Sequence, residues 1–349
     1  MARRLRGSIQ AGALALLAAL VPGLGSSQED GGSIDALERA AAQGHDAIVE
    51  LDLTRAYLQA GRYRQALGFA AHVVAEHRDS TEPAALYAWM LAAGGQAPYA
   101  RRVLDEASRS APADALVQAT REALEQPAPI ATGTLLEAHH RMAPLGDALP
   151  ATEAQVVSTG VLLDERHALV PLAAIRGRGR LWLRNGLGQA TGATQLREQT
   201  ELGVALLQLD APLPMAPAAE FAPREPFAGS PGFVAAYAPT AGSAPAWPWL
   251  RMGFLGRAAG GERPLRQLGI AAPSSAIGAP VFDAAGRLAG ITLPAVDGAL
   301  AWLPWPMLAG WAGMGPATPP AASVPQRSLP ADLAYERALR IALQVVASE

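Results

Sequence analysis

The sequence predicts a multidomain protein: an all-α N-terminal part, an all-β part, and a closing C-terminal helix. Three observations carry this. Residues 33–126 read as helices throughout, with positions that recur at a spacing of 34, as Gly61 to Gly95 and Ala66 to Ala100. From Thr132 the texture changes to short apolar or alternating runs with Gly, Pro, Asn or Asp between them, the pattern of a sandwich or barrel. Ala331–Val346 returns to helical spacing, with Tyr335, Ala338, Leu339, Ala342, Val345 and Val346 on one broad face. The 349 residues exceed one compact domain of usual size, and half are hydrophobic, enough for sizeable cores.

In chain order, Arg3, Arg4 and Arg6 give a positive start, and Ala11–Val21 is an unbroken run of small apolar residues. Gly23-Leu24-Gly25 is a small-x-small site before the polar Ser26–Asp30. This three-part pattern predicts a secretory signal peptide over residues 1–25. The run is short for a membrane span, which needs about 20 residues. A periplasmic or secreted location is the expectation, with membrane attachment only if the segment stays uncleaved.

The helical domain, 33–126, contains a self-similar segment. Tyr57, Gly61, Tyr63 and Ala66 recur 34 residues on as Leu91, Gly95, Ala97 and Ala100, and the second unit closes at Pro112. Glycine breaks each helical hairpin, and the small residues let its helices approach closely. The Y-x3-G-x-Y-x2-A core resembles the tetratricopeptide repeat, flanked here by Ile34–Gln43 and Ala113–Glu125. Arg78 stands where that repeat usually has proline, and Ala70 where an aromatic is common. The resemblance implies docking of a peptide or protein, with Arg62, Arg64, Arg101 and Arg102 as candidate binding residues. The plainer reading of those charges is a solvated face.

Gln126-Pro127-Ala128-Pro129 reads as a linker, and a β domain follows over 130–313. Its expected strands are Val156–Leu163, Ala168–Val170, Arg180–Leu183, Val204–Leu209, Gly232–Ala238, Leu250–Gly256, Val281–Phe282, Arg287–Thr292 and Ala299–Leu303. Pro306–Trp311 looks like a short turn of helix. Residues 315–330 form a Pro-rich linker, and 331–349 the C-terminal helix.

Gly278-Ala279-Pro280-Val281 resembles the second half of G-N-S-G-G-P-[LV], the nucleophile segment of trypsin-like serine proteases. Ser158–Leu163 is similar to that family's G-S-G-x-[VIL]-[VIL] strand, and Gly203–Asp210 to its D-[ILV]-A-[LV]-L-x-[LI] strand. Gly298–Pro304 looks like the pocket-wall strand of the bacterial high-temperature-requirement branch. The resemblance covers roughly 154–311 and implies two six-stranded barrels, with His and Asp from the first and Ser from the second. Serine-protease chemistry needs a hydroxyl deprotonated by His, which Asp orients. At those positions this chain has Ala173, Gly203 and Ile277. Ser275 falls at an oxyanion-loop glycine, Gly278 is retained, and Trp302 is bulky in the pocket wall, a further candidate peptide-binding residue. The expected function is therefore an exported, non-catalytic scaffold that binds peptides or partner proteins. The alternative is an active serine endopeptidase using Ser274 or Ser275. His167, His139, His140 and Glu201 read as surface groups. Ala331–Val346 resembles the lead-in that often precedes such a domain, which leaves open a truncated or tandem second copy.

Net charge is −3 with no long charged block, which argues against nucleic acid as the main partner. Lysine and cysteine are both absent. Without cysteine there is no disulfide, thiol nucleophile or thiolate metal site. No His pair with carboxylates has metal spacing, and no Gly-rich phosphate loop opens a helix, so no cofactor is expected.

Overall fold

The computed structural model describes residues 26–44, 46–125, 146, 149, 154–214, 220–237, 243–313 and 328–348. The proposed signal segment, residues 315–327 of the Pro-rich linker, and His139 and His140 lie outside them.

Six helices come first: α1 (Ser26–Gln43), α2 (Ala47–Gln59), α3 (Tyr63–Glu76), α4 (Thr81–Ala93), α5 (Ala97–Ser110) and α6 (Ala115–Glu125). The repeat is visible in the backbone. Helix α2 ends with Arg62 N–H donating to the Tyr57 carbonyl at 2.9 Å, and α4 with Gln96 N–H donating to Leu91 at 2.7 Å. Gly61 and Gly95 carry φ of 73° and 81°. This is a glycine-dependent helix stop repeated at the sequence period. Tyr63 seals one repeat against the next. Its hydroxyl donates to the Met90 carbonyl at 2.7 Å, and a side chain on Gly94 would collide with that hydroxyl.

Two closed six-stranded barrels follow. The second holds β6 (Pro231–Ala236), β7 (Trp249–Ala258), β8 (Arg266–Gly269), β9 (Pro280–Asp283), β10 (Leu288–Pro294) and β11 (Leu300–Pro304). The first holds β1 (Gln155–Asp164), β2 (His167–Pro171), β3 (Leu181–Asn185), β4 (Ala190–Gln199) and β5 (Val204–Leu209). Its sixth strand is β12 (Ala342–Ala347), from the far end of the chain. A one-turn helix, α7 (Leu172–Ile175), follows β2, and a short 3-10 turn, Trp305–Met307, follows β11.

The C-terminal helix, α8, spans Ala331–Ile341 and stops there. The helical spacing read through Val346 is corrected from Ala342 onward. Residue 342 turns extended, and β12 enters the barrel between β1 and β3, antiparallel to both. Gln155 pairs with Ala347 and Val161 with Ala342 on one side; Leu343 pairs with Asn185 and Ala347 with Leu181 on the other. Leu343, Val345 and Ala347 point into the barrel core with Leu183, Val170 and Leu207. Val346 packs with Trp182 and Ala154 on the other face. The segment is thus a strand of this barrel.

Helical module and barrels share one apolar core. Tyr63 and Tyr335 have ring centroids 4.3 Å apart, and the Tyr335 hydroxyl donates to the Pro248 carbonyl at 2.9 Å. Trp89 of α4 meets Trp247 at 5.1 Å and Trp249 at 5.7 Å. Helix α4 is consequently buried almost all round. Segment 243–249 is where the three parts meet. The Ser243 carbonyl accepts from Arg184 at 2.7 Å and the Ala244 carbonyl from Gln344 at 3.2 Å. Burial lowers the pKa of the Arg184 guanidinium below its ordinary value.

Ending the chain at Ile341 removes β12 and leaves β1 and β3 unpaired on facing edges. Open apolar edges of this kind aggregate. The shortened chain is expected to lose its soluble, cooperatively unfolding form in thermal denaturation. A soluble product with the full-length melting temperature would contradict this.

Candidate functional site

Two cross-connections gather the positions singled out in the sequence. The Leu172 N–H donates to the Gly203 carbonyl at 3.0 Å, which ties α7 to the residue opening β5. The Thr159 N–H donates to the Ile277 carbonyl at 3.0 Å, which ties β1 of the first barrel to the 276–279 loop of the second. Ala173, Gly203 and Ile277 accordingly line one cavity of about 430 Å³ at the junction of the barrels. Ser275 lines it too.

The loop that carries Ile277 is held from below by Thr292. Its hydroxyl donates to the Ala276 carbonyl at 2.5 Å and accepts from the Ala279 N–H at 2.8 Å. Its main chain accepts from Gly278 N–H at 2.8 Å and donates to Ala279 at 2.9 Å. Gly278 has φ of 83°, and a Cβ there would lie 1.9 Å from the Thr159 carbonyl oxygen and within 3 Å of Pro171. Only glycine lets the two barrels close at this point. Ala279 is fully buried in the second barrel.

Among the described residues lining the cavity, the ionisable side chains are Arg176, Arg263 and Tyr237. Tyr237 is buried, which pushes its hydroxyl well above the usual phenol range. That hydroxyl donates to the Ala342 carbonyl at 3.0 Å, so the cavity wall is fastened to β12. Arg263 lies over Gly203. A Cβ on Gly203 would come within 3.2 Å of its Nη1, and its Nη2 donates to the Pro294 carbonyl at 2.8 Å. An arginine therefore stands beside the position where the resembled family carries a carboxylate.

The remaining candidates are dispersed. His167 opens β2 with its Nδ1 2.9 Å from Asp164 Oδ2, and it is not part of the cavity lining. Glu201 is exposed. Trp302 is fully buried in the second-barrel core, where its Nε1–H donates to the Gln267 carbonyl at 3.2 Å. It fills space there and presents no surface to a ligand, which corrects its place among the binding candidates. Arg64 turns toward α8, with its Nε 3.3 Å from Asp332 and its N–H donating to Glu336 at 2.7 Å. Arg62, Arg101 and Arg102 are exposed, with Arg102 over the Tyr99 ring. Sequence reasoning missed Arg263, Thr292, Ser158 and Tyr237. Arg263 lies in a Gly-Gly-Glu-Arg-Pro turn that carries no signal of what it faces.

A tetratricopeptide repeat family model matches residues 57–124. No curated protein matches the chain. Among solved structures, the MamO protease domain from Magnetospirillum magneticum is 15% identical over 48% of this chain and 93% of that one, with a TM-score of 0.36. The inactive form of the Rv3671c protease from M. tuberculosis is 18% identical over 49% of this chain and 99% of that one, with a TM-score of 0.38. The HtrA-type protease AlgW with a decapeptide is 18% identical over 45% of this chain and 50% of that one, with a TM-score of 0.37. The fold is a tetratricopeptide-type helical module followed by a trypsin-like double barrel. Among the described residues, no helix is long and apolar enough to cross a membrane.

Thr292→Val keeps the shape of the side chain and removes both hydroxyl hydrogen bonds. It leaves the Ala279 N–H and the Ala276 carbonyl buried without that partner. Each such loss costs about 1–3 kcal/mol, so a destabilisation of about 2 kcal/mol or more is expected in urea unfolding. Thr292→Ser should recover most of it. Equal stability of the Thr292→Val and wild-type proteins would show that the loop is held by packing alone.

Proposed function

We propose that this chain is an exported, non-catalytic scaffold that binds a peptide or partner protein. In this reading its double barrel keeps the protease architecture with the catalytic positions vacated, and the helical module is carried with it. The observation that supports it most directly is the lining of the cavity. Ala173, Gly203 and Ile277, which the resemblance assigns to the positions of a serine-protease triad, line it together. A serine nucleophile works only with a positioned proton acceptor, and acyl transfer without one loses several orders of magnitude in rate. The lining side chains that ionise are two arginines and a tyrosine held neutral by burial. None of them accepts a proton from a hydroxyl near neutral pH. Export is supported by the N-terminal pattern of arginines, apolar run and small-residue site.

The second reading, an active serine endopeptidase, has one observation in its favour: Ser275 is exposed and lines the cavity. His167, the nearest candidate base in sequence to α7, is engaged with Asp164 instead. Incubation of the purified chain with a fluorophosphonate probe, beside an active trypsin-like control, separates the two. The scaffold reading expects no labelling. Labelling that disappears in Ser275→Ala would establish an activated serine and overturn it.

A further inference from the structure

We propose that the cavity takes the free C-terminal carboxylate of a peptide whose last side chain is apolar, with Arg263 as the counter-charge. The inference rests on the binding reading above and names its ligand.

The charge of the lining is one-sided. It holds Arg263, together with Arg176, whose Nη2 lies 3.9 Å from Glu198, and no carboxylate, in a chain that carries 31 acidic residues against 28 basic ones. Arg263 is half-buried, and the Pro294 carbonyl takes one of its donors and fixes the guanidinium over Gly203. Among the described residues no carboxylate pairs with it. Guanidinium donors are arranged to receive a carboxylate through two parallel hydrogen bonds. Gly203 carries no side chain to pair with this cation, and, its chain neighbours apart, Arg263 Nη1 is the only heavy atom of the described residues within 4 Å of where its Cβ would stand.

A second, independent feature points the same way. Ser158 lines the cavity and is only 8% exposed, and its Oγ, itself buried, has no hydrogen-bond partner among the described residues. A buried hydroxyl without a partner is costly unless a ligand supplies one. Most of the remaining wall is apolar, Val156, Leu172, Ile277 and Leu293 among others, with Thr159, Thr200 and Ser275 adding hydroxyls. Its volume of about 430 Å³ falls in the range of small-ligand pockets, about 300–1,000 Å³. A cation with an apolar wall selects an anion with an apolar body.

The entry geometry favours a chain end over a passing strand. Pro294, at the end of β10, has no N–H, and its carbonyl is already engaged by Arg263. Adding a peptide strand needs main-chain donors and acceptors on the receiving edge. This edge offers neither freely at Pro294, so the recognition falls to the carboxylate.

The test uses the full chain and N-terminally fluorescein-labelled pentapeptides ending in Ala, Val, Leu or Phe, each as the free acid and as the amide. Fluorescence anisotropy is the readout for the peptides, and direct binding of sodium laurate is followed separately by titration calorimetry. At least one free acid should bind, and its amide should bind about tenfold or more weakly, the scale of a lost charge-assisted pair. Arg263→Gln should reduce the acid to the level of the amide, while Arg263→Lys retains part of the difference. Gly203→Asp, at a positive φ that Asp tolerates better than most residues, should pair with Arg263 and abolish acid binding; Gly203→Asn should not. These charge-keeping and charge-free partners separate loss of the ligand from loss of the fold. Equal binding of acid and amide overturns the proposal, as does an unaffected Arg263→Gln. So does the absence of binding by every acid at millimolar concentration, or laurate binding where no peptide acid does. If peptides fail while the fluorophosphonate probe also leaves the chain unlabelled, the carboxylate assignment falls and the scaffold reading stands. Probe labelling would remove the reading itself.

Discussion

The pairing of β12 with β1 and β3 is the interaction on which the rest of the structure depends. Five consecutive strands of the first barrel cannot close it, and the sixth comes from the last residues of the chain. Leu343 and Val345 are fully buried, and burying an aliphatic side chain of this size contributes about 1.5–3 kcal/mol. The closure also sets the order of events in folding. The first barrel cannot be completed until everything between β5 and α8 has been made, so its contacts are long-range and its formation is slow. Helix α8, immediately before β12, brings Tyr335 against Tyr63 and Pro248. One C-terminal segment thereby closes a barrel and fastens the helical module to it.

The same closure reaches the cavity. Ser158 and Thr159 lie on β1, which β12 pairs along its length, and Tyr237 is bonded to the Ala342 carbonyl. The Thr159 backbone in turn holds Ile277, and Thr292 holds the loop around it. These supports position a loop accurately, which is what a catalytic serine requires, yet the residues presented are Ala173, Gly203 and Ile277. A framework of this kind is equally suited to hold a binding pocket of fixed shape. Architecture is shared by many activities, and the side chains at the site decide among them.

Much of this was legible in the residues. The glycines 34 apart marked the helical hairpins, and the Gly278–Val281 turn with its following hairpin located the loop that carries Ile277. The spacing of three weak motifs singled out Ala173, Gly203 and Ile277, which line one cavity. The failures have physical causes. Strand β4 carries Gly192 and a mixture of Thr, Gln, Arg and Glu with its outer half exposed, so neither face shows a hydrophobic period. Strand β8 is four residues long and half-exposed. Residues 342–347 satisfy both periods: Leu343, Val345 and Ala347 alternate as a strand, while Ala342, Val345 and Val346 continue a helical face. No glycine or proline stops α8, and the pairing with β1 and β3, which decides the matter, involves residues more than 150 positions away. Arg263 escaped notice for a related reason. Its meaning comes from lying over Gly203, a neighbour that only the closed barrels supply.

Amide hydrogen exchange over Ala342–Ala347 tests the central claim most directly. If β12 is an integral strand, its amides exchange as slowly as those of β1 and β3, and the three segments open together as one unit. Fast exchange at Ala342–Ala347 beside protected β1 and β3 would mean that the barrel closes without its last strand, and the account of how the cavity is framed would fail with it.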